Sequence, residues 1–275
     1  MTLKGIGYKS DIDANVDRIK SLNPKWWYNW GQTRGAGTPD KISTEWIPML
    51  YSDNPTRLAA WTADIQAEKA LISPAKIPAF LAFNEPDHPT QANMSPLEAL
   101  NNWQPLMDNG WQIRKGSPAN VSTVTEWADK FMGAQKALDL YTESWERDFE
   151  VNFVATHIYM NPDSKTWLSK VDALYAKFGK PVWVTETCVH DTLAKDAVLD
   201  AQGNVVTPAV PNRYSRAQVE QFMRDIWAGA QSRPWLERIA WHTRDITDPI
   251  GTTGALFNTD GSLTSTGIVW RDIDA

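Results

Sequence analysis

Two glutamates in the sequence each follow a run of apolar residues, and both could take part in acid–base chemistry. Glu85 follows the four apolar residues 80–83 and Asn84, and Glu186 follows the segment PVWVT at residues 181–185. Apolar runs of this length, closed in the first case by Pro86, are typical of strands buried on both faces. A carboxylate at the end of such a strand lies between buried and wet surroundings, where its pKa can rise towards neutral pH. Glu85 could instead cap a loop or pair with an arginine.

The elements that would position these glutamates alternate between strand and helix. Eight strands are predicted over residues 4–8, 26–30, 46–51, 77–84, 111–117, 149–159, 180–186 and 237–242. Helices are predicted over residues 11–22, 56–71, 95–108, 126–140, 165–177 and 215–230, from helical spacing of apolar residues and from capping residues. The pattern favours an α/β fold of the (β/α)8 barrel type. A doubly wound open sheet is the alternative, but no glycine-rich nucleotide-binding loop follows the first strand.

The chain contains no low-complexity linker, so we expect one barrel domain over residues 1–275. Reactive side chains of such barrels gather at the carboxyl ends of the strands. Strands four and seven lie on opposite sides of the barrel mouth, which would bring Glu85 and Glu186 to within about 5 Å, the separation of a retaining glycosidase. One carboxyl group would protonate the leaving oxygen and the other would attack the anomeric carbon.

Polar and aromatic residues at other strand ends could support this chemistry. Asn84 could bind a sugar hydroxyl beside the reacting carbon, and His157 and Tyr159 alternate on strand six, so that both could face inwards. Tyr159 could donate a hydrogen bond to Glu186 and keep it ionised, whereas His157 could also be a satisfied interior histidine. Three aromatic residues at the ends of strands two, three and eight could stack on sugars or belong to the core: Trp30, Tyr51 and Trp241.

Composition narrows the range of partners. The 15 tryptophans favour a carbohydrate ligand, although most of these rings are expected in the core. A net charge of −6 without a basic cluster argues against a nucleic acid partner, and no apolar run reaches the roughly 20 residues of a membrane span. We expect a monomer that is secreted or periplasmic, with its leader absent from this chain, and a cytoplasmic location is the alternative because Cys188 is the single cysteine.

Other chemistries find little support in the sequence. The four histidines lack metal-binding spacing and there is no G-x-S-x-G motif, so we expect no metal and no cofactor. A lone, half-buried Cys188 is favoured over a Cys–His hydrolase. An enzyme of phosphorylated metabolites would need a glycine-rich phosphate loop after strand seven or eight. The long polar segment 187–213 is expected to be functional or disordered.

Six motifs in order resemble glycoside hydrolase family 128, the alkali-sensitive-linkage type catalytic core within the clan of retaining (β/α)8 glycoside hydrolases. They are WWYNW, WIPMLYS, FLAFNEPD, KGSPA, FVATHIY and PVWVTET, and the similarity covers about residues 5–241. The resemblance implies Glu85 as the acid/base and Glu186 as the nucleophile. It also implies polar support and sugar contacts from the residues already described, namely Asn84, His157, Tyr159, Trp30, Tyr51 and Trp241.

The resemblance further implies hydrolysis of β-1,3-glucan, usually at internal bonds and with retention. We therefore expect a retaining endo-β-1,3-glucanase that acts on laminarin-type glucan through a covalent glycosyl-enzyme intermediate. The sequence departs from the family pattern in TETCVH, where an aromatic residue would follow the nucleophile, and in segment 187–213. The alternatives are a β-1,4-acting relative on glucan or mannan and a non-catalytic β-glucan-binding protein. The sequence does not decide between internal and terminal cleavage.

Overall fold

A computed structural model describes residues 1–37, 41–73, 76–108, 113–123, 125–141 and 150–274. Within these residues the strands are β1 Leu3–Gly7, β2 Trp26–Tyr28, β3 Glu45–Trp46, β4 Ala79–Phe80, β5 Arg114–Lys115, β6 Val154–Met160, β7 Val182–Val189, β8 Val198–Leu199, β9 Val205–Thr207 and β10 Leu236–His242. Part of the predicted strand 111–117 and the first residue of the predicted strand 149–159 lie outside the described residues.

Eight of these strands form a closed parallel ring. Six pair in the order β3–β2–β1–β10–β7–β6, and β4 pairs with β5. Isolated parallel bridges close the two remaining gaps, Met49 with Leu81 between β3 and β4, and Gly116 with Phe153 and Asn120 with Thr156 between β5 and β6. The predicted (β/α)8 barrel is therefore confirmed, and the carboxyl ends of all eight strands open on one side of the molecule.

Apart from α8, which the sequence did not predict, the helices lie close to the predicted positions. They are α1 Asp13–Ser21, α2 Pro55–Leu71, α3 Pro96–Asn101, α4 Gln104–Asp108, α5 Glu126–Tyr141, α6 Ser164–Phe178, α7 Arg216–Gln231 and α8 Ser265–Asp272. The single helix predicted over 95–108 is two helices, because Pro105 lacks an amide N–H and suits the first turn of α4 better than a helix interior. None of the described helices has the length and apolar character needed to cross a membrane.

Alternating side chains along the strands form two separate cores. Trp26, Tyr28 and Trp183 point into the barrel, whereas Trp27 and Val184 pack against the surrounding helices. Strands buried on both faces explain the continuous apolar runs of the sequence. Within the described residues ten tryptophans are buried, out of 15 in the sequence, so the tryptophan excess mainly fills these two cores, as expected.

The carboxyl end of β7 differs from the prediction. The sequence predicts an end at Glu186, whereas β7 continues to Val189 and pairs with β6 across a register shift that places His157 opposite Glu186. The following polar segment contains the antiparallel hairpin of β8 and β9. Arg213 anchors the base of this hairpin through an ion pair of 2.6 Å with the buried Asp191.

Candidate active site

The two predicted glutamates meet at the carboxyl end of the barrel. Glu85 follows β4 and Glu186 lies in β7, and both line a cleft of about 430 Å³ of empty space, including open solvent. The cleft is lined by Trp30, Tyr51, Asn84, Glu85, Gln91, Glu186 and His242. Five of the eight residues predicted for the site therefore line the cleft, and a sixth, His157, contacts both glutamates. The other two, Tyr159 and Trp241, are described below.

His157 lies between the two carboxyl groups. Its Nδ1 is 2.7 Å from Oε1 of Glu85, and its Nε2 is 3.5 Å from Oε1 of Glu186. The facing donor atoms of these three side chains all lie within 4.8 Å of one another. The separation of the carboxyl groups is thus close to the value for a retaining glycosidase. It leaves less room than the water-mediated inverting arrangement requires.

The backbone is strained at two residues that line the cleft. Glu85 has φ of 44° and Trp30 has φ of 57°, in the left-handed region that non-glycine residues rarely adopt. The amide of Glu85 donates to the carbonyl of Ala119 at 2.8 Å, and its carbonyl accepts from the amide of His88 at 3.0 Å. Such conformations persist where surrounding bonds fix them, and they concentrate at functional sites.

Glu186 is surrounded by hydrogen-bond donors. Trp30 Nε1 and Tyr28 OH donate to its Oε1 at 2.8 and 3.1 Å. Tyr159 OH donates to Oε2. These bonds satisfy both oxygens of a side chain that is only 6% exposed, and charge-assisted bonds of this kind favour the ionised form.

The electrostatic surroundings act on Glu186 in opposite directions. Burial by itself would raise the pKa of this carboxyl, but the charge of His157 and the hydrogen bonds from Tyr159 and Trp30 outweigh burial and lower the pKa below its ordinary value. Glu186 is therefore ionised at neutral pH. An ionised carboxylate held in a fixed orientation can act as a nucleophile.

Glu85 has a sparser environment. Its side chain is 12% exposed, and the side-chain partner described for its carboxyl group is His157. Burial by itself would lower the pKa of His157, but the charges of Glu186 and Glu85 and the hydrogen bond to Glu85 raise it overall. The two carboxyl groups therefore favour the protonated form of this imidazole, and a histidine placed between two carboxyl groups is a setting for proton transfer.

A third group of residues lines the opposite wall of the cleft. Tyr51 OH donates to Oε1 of Gln91, and Asn84 Nδ2 lies 3.5 Å from the same oxygen. Oδ1 of Asn84 is buried and lacks a hydrogen-bond partner among the described residues. A polar ligand in the cleft could provide that partner.

The prediction for Trp241 is corrected. This residue is fully buried, donates Nε1 to the carbonyl of Gly254 at 2.9 Å and packs against Phe222 and Trp270. It lies between the barrel and the helices, because inward-facing positions of β10 are offset from it by one residue. His242 faces the cleft instead.

Sequence reasoning missed Tyr28, Gln91, His190 and His242. Tyr28 could have been found from period-two alternation with Trp26 and Trp30, which share its inward face. His190 stacks on Tyr159 with centroids 4.4 Å apart, and burial followed by the charge of Arg244 lowers its pKa to about 4. Neither Gln91 nor His190 carries a recognisable signal, because both lie outside the predicted strands.

Two other chemistries can be assessed from the same residues. Burial raises the pKa of the Cys188 thiol to about 12, so this cysteine is a packed core residue and not a nucleophile. Glu85, His157 and Glu186 offer donor types that also suit a metal ion. Both oxygens of Glu186 already accept hydrogen bonds from protein N–H and O–H groups. This arrangement fits a carboxylate that is positioned by hydrogen bonds better than one that binds a metal ion.

A (β/α)8 barrel with two glutamates facing each other across its carboxyl-end cleft defines a protein of the glycoside hydrolase class. The family model described as glycosyl hydrolase catalytic core matches residues 5–270, so the chain belongs to that family. The resemblance to family 128 inferred from the six motifs is confirmed. No curated protein matches the chain in sequence.

Solved structures of family 128 share the fold over nearly the whole chain. A subgroup I endo-β-1,3-glucanase from Amycolatopsis mediterranei, in complex with laminaripentaose, is 24% identical with a TM-score of 0.73 and coverage of 99% of this chain and 100% of that one. A subgroup III curdlan-specific exo-β-1,3-glucanase from Blastomyces gilchristii is 24% identical, with a TM-score of 0.69 and coverage of 98% of this chain and 97% of that one. A subgroup VII oligosaccharide-binding protein from Trichoderma gamsii is 18% identical, with a TM-score of 0.68 and coverage of 99% of this chain and 93% of that one.

Proposed function

We propose that the protein is a retaining endo-β-1,3-glucanase that hydrolyses laminarin-type β-1,3-glucan through a covalent glycosyl-enzyme intermediate. The observation that carries the proposal is a pair of carboxyl groups within 4.8 Å whose surroundings differ. Three donors hold Glu186 ionised, whereas His157 is the single side-chain partner described for Glu85, which lies beside the open cleft. Unequal surroundings of this kind assign a nucleophile and an acid.

In the first step Glu186 attacks the anomeric carbon and forms an ester bond to it. Glu85 gives its proton to the glycosidic oxygen as the bond between that oxygen and the anomeric carbon breaks. In the second step Glu85 takes a proton from water, and the water oxygen attacks the same carbon and releases Glu186. Two inversions leave the product with the configuration of the substrate.

The surrounding residues supply orientation and stabilisation. Tyr28, Trp30 and Tyr159 fix the attacking carboxylate, so that little reorganisation is needed when it reacts. Asn84 and Tyr51, which line the opposite wall, are available to sugar hydroxyls. The substrate assignment follows family 128 structures, among them endo-β-1,3-glucanases from Amycolatopsis mediterranei and Sorangium cellulosum.

The experiment uses Glu85→Ala and Glu186→Ala. Each is expected to lower kcat on laminarin by at least about 10³-fold, because the nucleophile and the acid act in the bond-breaking step. On an aryl β-laminaribioside with a good leaving group, azide should restore turnover in both variants. The product should be the α-glycosyl azide with Glu186→Ala and the β-glycosyl azide with Glu85→Ala, since azide replaces a different group in each.

Glu126→Ala is the matched control, because Glu126 is an exposed glutamate on α5 paired with Lys130. It should keep wild-type turnover. Near wild-type turnover of either active-site variant would refute the roles, and α-configured product from the wild type would refute retention. Hydrolysis of mannan or cellulose but not laminarin would refute the substrate. Release of glucose without longer oligosaccharides at early times would refute internal cleavage.

A further inference from the structure

His242 occupies the inward position at the end of β10 and lines the cleft. Its ring lies edge-on between Trp30 and Tyr159, with centroids 5.7 Å from each and interplanar angles of 76° and 88°. Both of these neighbours donate hydrogen bonds to Glu186. His242 is therefore on the Glu186 side of the cleft, and two aromatic rings restrict its rotation.

The two ring nitrogens of His242 can be assigned different roles. Nδ1 is buried and has no hydrogen-bond partner among the described residues. Burial, together with the charges of His157 and Arg244, outweighs the opposing charges of Glu186 and Glu85 and lowers the pKa of this imidazole, so the ring is neutral. A neutral imidazole has one N–H and one lone pair, and an unpaired buried N–H is rarer than an unpaired buried acceptor. The proton therefore belongs on Nε2, which leaves Nε2–H as the donor available to a ligand.

We propose that His242 binds substrate, with Nε2–H donating to a hydroxyl oxygen of the sugar that Glu186 attacks. The inference rests on the proposed function, and its ligand is the pyranose ring on the nucleophile side of the scissile bond. A neutral donor suits an uncharged hydroxyl group. A ring held between two aromatic neighbours makes that contact without a loss of side-chain freedom on binding.

The test compares His242→Ala, His242→Gln and His242→Asn with the wild type on an aryl β-laminaribioside. The amide nitrogen of glutamine reaches about as far as Nε2, whereas that of asparagine reaches only about as far as Nδ1. We expect kcat/KM to fall by about 10- to 100-fold in the alanine and asparagine variants, because a hydrogen bond that strengthens in the transition state is lost. Glutamine should retain a larger share of the activity.

A substrate series identifies the hydroxyl and separates binding from packing. Single hydroxyls of the sugar next to the aglycone are replaced by hydrogen, and each compound is measured with the wild type and with His242→Ala. For the compound that lacks the partner hydroxyl, the effect of His242→Ala should shrink to less than about threefold, because the contact is already absent. An equal loss for every compound would overturn the inference, since only a packing role predicts it.

His88→Ala is the matched histidine control, because the His88 side chain bonds to Thr90 and the alanine variant keeps the backbone amide that bonds to Glu85. Laminaripentaose binding to Glu186→Gln, with and without His242→Ala, is measured by calorimetry as a second readout that needs no turnover. Hydrolysis by the wild type with unchanged kinetics and binding in the His242 variants would overturn this inference alone. A wild type that neither cleaves nor binds laminari-oligosaccharides would overturn the proposed function as well.

Discussion

The two ends of the barrel interior use inward-facing side chains in opposite ways. At the amino end, the guanidinium of Arg238 lies 5.5 and 4.2 Å from the ring centroids of Trp26 and Trp183 and 2.6 Å from Glu45. Glu237 accepts from Trp183 Nε1 at 2.7 Å. These contacts fill the end of the barrel with aromatic rings and paired charges.

At the carboxyl end, polar groups are gathered before a ligand arrives. Glu85 and Glu186 share His157, and among the described residues Asn84 Oδ1 and His242 Nδ1 are buried without partners. Such groups cost free energy in the folded protein, and they are tolerated where binding or catalysis needs them. One end of the barrel therefore contributes stability and the other contributes activity, so substitutions at the amino end should change the free energy of unfolding and substitutions at the carboxyl end should change kcat/KM.

The largest effect on stability is expected from Arg238→Ala. Arg238 is 6% exposed, and its removal leaves Glu45 without its ion pair and the two indole rings without their packing partner. The free energy of unfolding should fall by about 3–5 kcal/mol, as measured by chemical denaturation. Arg238→Met keeps the aliphatic packing and should lose less. A drop of kcat/KM beyond about threefold in the folded variant would contradict the assignment of stability to the amino end and of activity to the carboxyl end.

A smaller effect of the opposite kind is expected from Tyr159→Phe. Loss of its hydrogen bond to Glu186 should lower kcat/KM by about 10- to 100-fold with little change in the free energy of unfolding. Glu186 must be ionised to attack, and the bond from Tyr159 helps to lower its pKa. The variant therefore has a higher Glu186 pKa, and the acid limb of the pH–kcat/KM profile should move to higher pH.

Tyr175→Phe is the control for this change, because Tyr175 lies on α6 and stacks on Trp235 away from the cleft. Its profile should coincide with that of the wild type. A Tyr159→Phe profile whose acid limb stays in place would show that Tyr159 positions the sugar or the ring stack and does not set the pKa of Glu186.

The fold could be predicted because the spacing of apolar residues and the capping residues indicate the same helices along most of the chain. Capping boxes form at Ser95 and Ser215, where the predicted helices 95–108 and 215–230 begin. Strands three and four are shorter than predicted, since Pro48 and Pro78 lack the amide hydrogen that a ladder needs, and a single bridge joins them. Helix α8 gave no clear signal, because STGIVWRD contains a glycine and β-branched residues of low helix propensity.

The site could be predicted only in part. Glu85 and Glu186 follow apolar runs that point to strand ends, which is a local signal. The choice between Trp241 and His242 depends on which face of β10 points inwards, and strands buried on both faces carry little information on that question. The register shift that brings His157 to Glu186 arises from pairing between strands, which no single segment of sequence records.

The smallest effects are expected from two glycines on β1, and they compare the two ends of the barrel within a single strand. Gly5 and Gly7 share the inward face of one strand, the first beside Trp26 at the amino end and the second beside Tyr28 near Glu186. A Cβ at Gly5 would lie 2.2 Å from Cε2 of Trp26, and one at Gly7 would lie 2.7 Å from Cζ of Tyr28. Both alanine variants must displace an aromatic ring, so each should lose about 1–3 kcal/mol of unfolding free energy.

Activity should separate the two glycine variants. Tyr28 donates to Glu186 at 3.1 Å, so Gly7→Ala should lower kcat/KM by about tenfold at a temperature where both variants remain folded. Gly5→Ala should leave kcat/KM within about twofold of the wild type. The measurement pairs steady-state kinetics with denaturation of the same samples. Equal losses of activity would mean that strain at the amino end reaches Glu186 along β1, in which case the packing of the lower barrel would itself be part of the catalytic machinery.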